Sequence, residues 1–171
     1  DKKVVKIFSL VGENVMVTKV SAWLKKEDEA GFEQMSDLAL SHFLNGLIIE
    51  KRGPSDQAPE AEAELNNNII LRKLRIAFNL KSDDILSMLE KNNFRLGKAE
   101  LSAFFRKPDH KHYRVCKTQV LRQVLTVIQQ TFAHHSKVQN SANKATKKPT
   151  KKLTPKQIYV NPDLKPKEKS G

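Results

Sequence analysis

Residues Val20–Asp28 read Val-Ser-Ala-Trp-Leu-Lys-Lys-Glu-Asp, and residues Leu101–Asp109 read Leu-Ser-Ala-Phe-Phe-Arg-Lys-Pro-Asp. The two stretches lie 81 residues apart. Extending that register without a gap pairs Val4 with Ile85, Val5 with Leu86, Ile7 with Met88, Phe8 with Leu89 and Val15 with Leu96. Beyond the motif Phe32 meets Tyr113, Met35 meets Cys116, and Leu40, Phe43, Leu44 and Leu47 meet Leu121, Val124, Leu125 and Ile128. Identities are few, but apolar positions match over 48 consecutive pairs, 1–48 against 82–129. The chain is therefore a tandem duplication.

The spacing within each copy is helical. Val4, Val5, Phe8 and Val11 share one face of a first helix that stops at Gly12-Glu13-Asn14. Thr18 is placed to cap a second helix, with Val20, Trp23 and Leu24 as one buried stripe. Glu27 to Ser36 is polar and reads as a loop anchored by Phe32 and Met35, and a third helix from about Asp37 to Glu50 carries Leu40, Phe43, Leu44 and Leu47. In the second copy Asn66–Asn68 cap a helix whose apolar face is Ile70, Leu71, Leu74, Ala77 and Phe78, leaving Arg72, Lys73 and Arg75 to solvent. Ser82 opens the next helix with Asp83 and Asp84 in its first turn, where carboxylates meet the positive end of the helix dipole. Leu101, Phe104 and Phe105 repeat the motif stripe, and Gln119–Phe132 repeats the last helix with Val120, Leu121, Val124, Leu125 and Ile128. No alternating strand pattern is present, so the expected fold is all-α.

Four segments follow: a helical repeat over 1–50, a linker over 51–65, a second helical repeat over 66–134 and a disordered lysine-rich tail over 135–171. The linker combines Gly53, Pro54 and Pro59 with Glu60, Glu62 and Glu64, and has little to bury. The tail has too little apolar material to offset the entropy of ordering. The helix Asn68–Leu80 has no partner in the first copy, because that partner would precede residue 1. The expectation is a first repeat truncated by its opening helix, with an apolar groove left beside Val4, Phe8 and Leu44.

With these segments in view, Phe43–Gly53, Asn66–Phe78 and Pro108–Lys111 resemble the YehS-like family, bacterial cytoplasmic proteins built as a tandem pair of a domain of unknown function. The resemblance covers about Asp1 to Phe132. It implies an all-helical duplicated fold and brings no activity and no catalytic residues with it.

At 171 residues, 39% hydrophobic and 29% charged, the chain has the profile of a small globular protein. No run approaches the ~18 apolar residues of a membrane span, and the beginning has no signal-peptide pattern, so the cytoplasm is the expected compartment. The single cysteine, Cys116, excludes an internal disulfide. Of the net charge of +12, the tail holds +8, ten lysines against Asp163 and Glu168, which leaves the body at +4.

Asp109, His110 and His112 suggest a metal site, but His110 and His112 match Glu29 and Gly31 in the first copy, and their spacing fits no closed zinc pattern. Cys116 matches Met35 and reads as a core anchor. Of Glu27, Asp28 and Glu29, only Asp28 recurs, as Asp109, and local pairing accounts for it. There is no phosphate-cradling glycine loop, no GxSxG and no HExxH. The sequence therefore predicts no enzyme, no cofactor and no metal. The pair of helices around Gly12 is loosely like a helix-turn-helix, with a turn longer than usual and Asn93 in place of Gly12 in the second copy. The expected function is RNA or DNA binding through phosphates, at Lys19, Lys25, Lys26, Arg106 and Lys107 on the helices and at Lys147, Lys148, Lys151 and Lys152 in the tail. The alternative is a protein-protein interaction or assembly module, through a partner or self-association at the repeat surface, with the tail as a solubilising extension and no membrane contact.

Overall fold

Seven helices carry the described part of the chain, which in this computed structural model is residues 1–54 and 59–145, with side chains through Phe132. They are α1 (Lys2–Ser9), α2 (Val17–Trp23), α3 (Asp37–Arg52), α4 (Asn67–Ala77), α5 (Ser82–Lys91), α6 (Lys98–Phe104) and α7 (Thr118–Ala145). No strand occurs among the described residues. Residues Asp1–Phe132 form one compact unit. α7 continues to Ala145, past the His134 boundary read from the sequence, because 133–145 contains no proline or glycine to stop a helix. The rest of the expected tail, 146–171, lies outside the described residues.

The same local backbone recurs 81 residues apart. α2 and α6 have matching limits, and α3 and α7 begin at matching positions. The turn after α1 has Val11 N–H donating to Phe8 C=O and Glu13 N–H donating to Phe8 C=O; after α5, Asn92 and Phe94 both donate to Leu89 C=O. Gly12 takes φ +81° and Asn93 takes φ +58°. Asn is among the few L-residues that enter the left-handed region readily, so the change from Gly12 to Asn93 preserves the turn. In the following loops Glu33 N–H donates to Ala22 C=O, as Arg114 N–H does to Ala103 C=O.

Local signals fix most of the helix limits. Ser36 Oγ accepts from Ala39 N–H at 3.2 Å, and Gly53, at φ +89°, ends α3 by donating to Ile49 C=O at 2.8 Å. Asn66 Oδ1 caps α4 through Ile69 N–H at 2.9 Å, and Asp84 accepts from Lys81 N–H at 2.7 Å at the start of α5. Thr18 does not cap α2. The helix begins at Val17, so Thr18 already sits in its first turn, and the cap position falls to Met16, which offers only its backbone carbonyl to Lys19 and Val20.

α3 is packed by α1 on one face and by α4 on another. A Cβ on Gly46 would lie 2.2 Å from the backbone oxygen of Ile7, so this glycine sets how closely α1 and α3 approach. The equivalent residue of α7 is the buried Val127, and the two copies therefore pack this helix pair differently. On its α4 side, α3 presents the buried polar residues Ser41 and Asn45.

These two residues tie down the linker. Asn45 Nδ2 donates to the carbonyls of Pro59 (2.9 Å) and Glu60 (3.2 Å), Glu62 N–H donates to Ser41 Oγ (2.9 Å), and Ser41 Oγ donates to Glu62 Oε2 (2.5 Å). Lys73 closes the network, donating to Asn45 Oδ1 and pairing with Glu62 at 2.8 Å. Lys73 is thus 6% exposed rather than turned to solvent as its place between Arg72 and Leu74 suggested. The amine is accepted in the interior because a carboxylate and an amide oxygen meet it there. Burial opposes the charge on Glu62, but the hydrogen bonds from Lys73, Ser41 and its own backbone, with the charge of Lys73, hold its carboxyl below the ordinary range.

Candidate functional site

A buried asparagine shapes a strongly basic loop. Asn68, 3% exposed at the start of α4, donates through Nδ2 to the carbonyls of Phe104 (2.9 Å) and Arg114 (2.8 Å), and accepts at Oδ1 from Cys116 N–H (2.9 Å). The Phe104 carbonyl is one of those left without a helical partner at the end of α6. Asn67 Nδ2 adds a bond to Cys116 C=O at 2.9 Å. Together these bonds fix the path of the loop from Phe105 to Lys117 against the ends of two helices.

Cys116 lies within the core. Burial pushes its thiol up, against a smaller opposite effect of the Leu121 backbone, so the sulfur keeps its proton near neutral pH and is a poor nucleophile. The sequence reading of this residue as a packing anchor agrees with its place. Among the described residues no three His, Cys, Asp or Glu side chains come together to hold a metal ion.

The loop and the adjacent face of α6 enclose a cleft of about 870 Å³. Ala99, Ser102 and Ala103 supply small side chains, Arg106, Lys111, His112, Tyr113 and Arg114 supply donors, and Glu100 is the one carboxylate in the lining. Arg106 lies against the His110 ring, with its Nη1 3.0 Å from His110 Nε2, while its Nε is buried without a hydrogen-bond partner. His110 is itself positioned by accepting from His112 N–H at Nδ1, at 3.0 Å. Neither Arg106, Lys107, Lys111 nor Arg114 makes an ion pair among the described residues.

The equivalent loop of the first copy has the opposite charge. Residues 106–114 hold four cations and Asp109, a net +3 with neutral histidines, whereas residues 25–33 hold Lys25 and Lys26 against Glu27, Asp28, Glu29 and Glu33, a net −2. There Lys19 is paired with Glu33, and Lys25 Nζ donates to Ala30 C=O at 2.6 Å. Lys26 is exposed. Of the residues read from the sequence as phosphate contacts, Arg106 lines the cleft and the exposed Lys107 follows it in the chain, while Lys19 and Lys25 have local partners. Lys147, Lys148, Lys151 and Lys152 lie outside the described residues. Lys111, His112, Tyr113 and Arg114 were missed, although the charge contrast between the paired windows was readable.

Two other cations are drawn onto the motif. Arg75 places its guanidinium 4.6 Å from the centre of the Phe105 ring, and Arg72 Nη2 reaches Phe105 C=O at 3.4 Å. The buried stripe expected in the first copy is only partly formed: Val20 is buried and Trp23 half-buried, but Leu24 is 65% exposed. Phe105, its counterpart, has α4 beside it, and Leu24 has no such neighbour among the described residues. Leu125 likewise is 43% exposed where its counterpart Leu44 is 4% exposed, because α4 and the linker cover that face of α3. Phe8 and Leu44, expected to border an open groove, are both buried.

The fold defines an all-α protein made of two copies of one helical unit. The family described as "Protein of unknown function (DUF1456)" matches residues 1–53 and 67–131, and the chain belongs to that family. It is also similar to the "Uncharacterized protein YehS" of Escherichia coli strain K12, at 50% identity over 123 residues, covering 71% of this chain and 79% of that protein. No solved structure matches the chain. Among the described residues no helix is long and apolar enough to cross a membrane.

Proposed function

We propose that this protein is a non-enzymatic nucleic-acid-binding protein of the cytoplasm that holds RNA or DNA by its phosphates, with the α6 cleft as the principal contact. The observation that carries this reading is the net +3 loop, free of ion pairs among the described residues, around a cleft lined by Arg106, Lys111 and Arg114. Guanidinium groups fork onto phosphate oxygens through paired N–H donors, and Lys111 adds a point charge beside them. Such contacts hold and orient a backbone without reading its sequence. The lysines of the tail contribute additional charge. The helix-turn-helix likeness has less support, since Lys19 and Lys25 of α2 and its following turn are already engaged by Glu33 and Ala30.

The test is fluorescence anisotropy of labelled single- and double-stranded oligonucleotides over a salt series. Affinity is expected to fall with salt at a log–log slope of roughly −0.9 per phosphate neutralised on a duplex. Charge reversal at Arg106, Lys111 and Arg114 together should flatten that slope by up to about 3 × 0.9. Reversal at Lys19 and Lys25 should change it little. Absence of binding by the intact chain at low salt, or binding indifferent to the three cleft cations, refutes the proposal.

A further inference from the structure

The loop that gains positive charge in the second copy gains rings as well. Residues 106–114 carry His110, His112 and Tyr113 among their four cations, whereas residues 25–33 carry Phe32 alone. His110 stands where the first copy has Glu29, and His112 where it has Gly31. Tyr113 and Phe32 are both half-buried, so part of that ring serves packing in either copy; the two imidazoles are particular to the basic loop. The rings are held in place. Tyr113 N–H donates to His110 C=O at 2.7 Å, Arg114 N–H donates to Ala103 C=O at 3.3 Å, and His112 N–H donates to His110 Nδ1 at 3.0 Å. The His110 and His112 rings lie 5.6 Å apart between centres, and His112 and Tyr113 both line the cleft, with His112 exposed.

We propose that the α6 cleft takes single-stranded rather than duplex nucleic acid, with a base stacked on the rings of Tyr113 and His112 and the adjoining phosphates on Arg106, Lys111 and Arg114. This rests on the nucleic-acid reading and names the form of the ligand. A duplex keeps its bases paired and stacked inside and turns its phosphates outward, so it meets the cations and leaves the rings unused. A single strand splays its bases and meets both. At about 870 Å³ the cleft is also within the roughly 300–1,000 Å³ that encloses a ligand the size of a nucleotide. Its small wall residues, Ala99, Ser102 and Ala103, leave that space open. Glu100, on α6, makes no ion pair among the described residues and offers an acceptor to the base N–H groups that pairing occupies in a duplex. Because the loop is already pinned, little ordering of the rings is needed when a base arrives.

The test separates stacking from charge. Labelled DNA and RNA strands of about 12 nucleotides, and the duplex of the same sequence, are titrated into the intact chain over a salt series, and each line is extrapolated to about 1 M salt, where the counterion contribution vanishes. Both single strands are expected to exceed the duplex there by about tenfold or more. Tyr113→Ala should lower single-strand affinity roughly five- to hundredfold with the salt slope unchanged, and Tyr113→Phe, which keeps the ring, should restore it. His112→Ala, at an exposed position, should act in the same direction and decides the matter if circular dichroism shows Tyr113→Ala unfolded. Duplex affinity equal to or above that of the single strands at every salt overturns the inference, as does single-strand affinity that neither ring substitution changes. In both cases binding that still responds to Arg106, Lys111 and Arg114 leaves the nucleic-acid reading standing, whereas absence of binding to every probe at low salt removes both.

Discussion

Asn68→Ala is expected to be among the most damaging substitutions in the chain, though it removes a polar side chain rather than a core hydrophobe. The change strands Phe104 C=O, Arg114 C=O and Cys116 N–H, which Asn68 meets at 2.9, 2.8 and 2.9 Å. An unsatisfied buried polar group costs about 1–3 kcal/mol. With some access of water to the part-buried Arg114 carbonyl, the total is roughly 3–6 kcal/mol. A unit the size of Asp1–Phe132 has an overall stability on the order of 7–20 kcal/mol, so the loss takes a large share of it. Asn67→Ala is the control: the neighbouring asparagine is half-buried and bonds to Cys116 C=O and, at 3.4 Å, to Thr118 Oγ1, so about 1 kcal/mol is expected. Urea unfolding followed by circular dichroism measures both, and an unchanged slope against urea shows that the midpoint shift reports stability. A loss below about 1 kcal/mol for Asn68→Ala, or equal losses for the two variants, would mean that the loop is not held as described.

Gly46→Ala should destabilise by about 2 kcal/mol or more, since its Cβ meets the Ile7 backbone, which cannot move aside as a side chain can; Val127→Ala in the second copy should show a cavity cost of ordinary size instead. Phe104→Ala should cost roughly 3–5 kcal/mol and the half-buried Trp23→Ala about half that, although a symmetric reading of the repeat makes them equal; equal losses in urea unfolding would contradict the difference in burial. The depressed carboxyl of Glu62 contributes stability that is complete above its unfolded-state pKa and is lost as pH falls through its lower folded-state value. Stability measured from pH 7 down to pH 3 should therefore decline on the acid side, and Glu62→Gln should remove part of that decline. Cys116 should react with a thiol reagent only as fast as the chain opens, so denaturant should accelerate labelling steeply.

The sequence by itself determined the helices, their order and the correspondence between the copies, because these depend on residues close together in the chain. Apolar groups three and four apart make a helix face wherever that helix goes, Asn66 and Ser36 cap from within their own first turns, and Gly12 and Asn93 satisfy the same backbone demand. Burial was different. Leu24 and Phe105 are equivalent by pattern, as are Leu44 and Leu125, yet each pair divides according to whether α4 lies over it. A periodic pattern states which side of a helix is apolar; a neighbour from elsewhere in the chain decides whether that side leaves water. The same reason hid Lys73, whose partner Asn45 lies 28 residues away, and Asn68, whose bonds span 36 to 48 residues. It also hid the cleft, since Arg106, Lys111 and Arg114 become one site only when Asn68 fixes the loop that carries them against the end of α6.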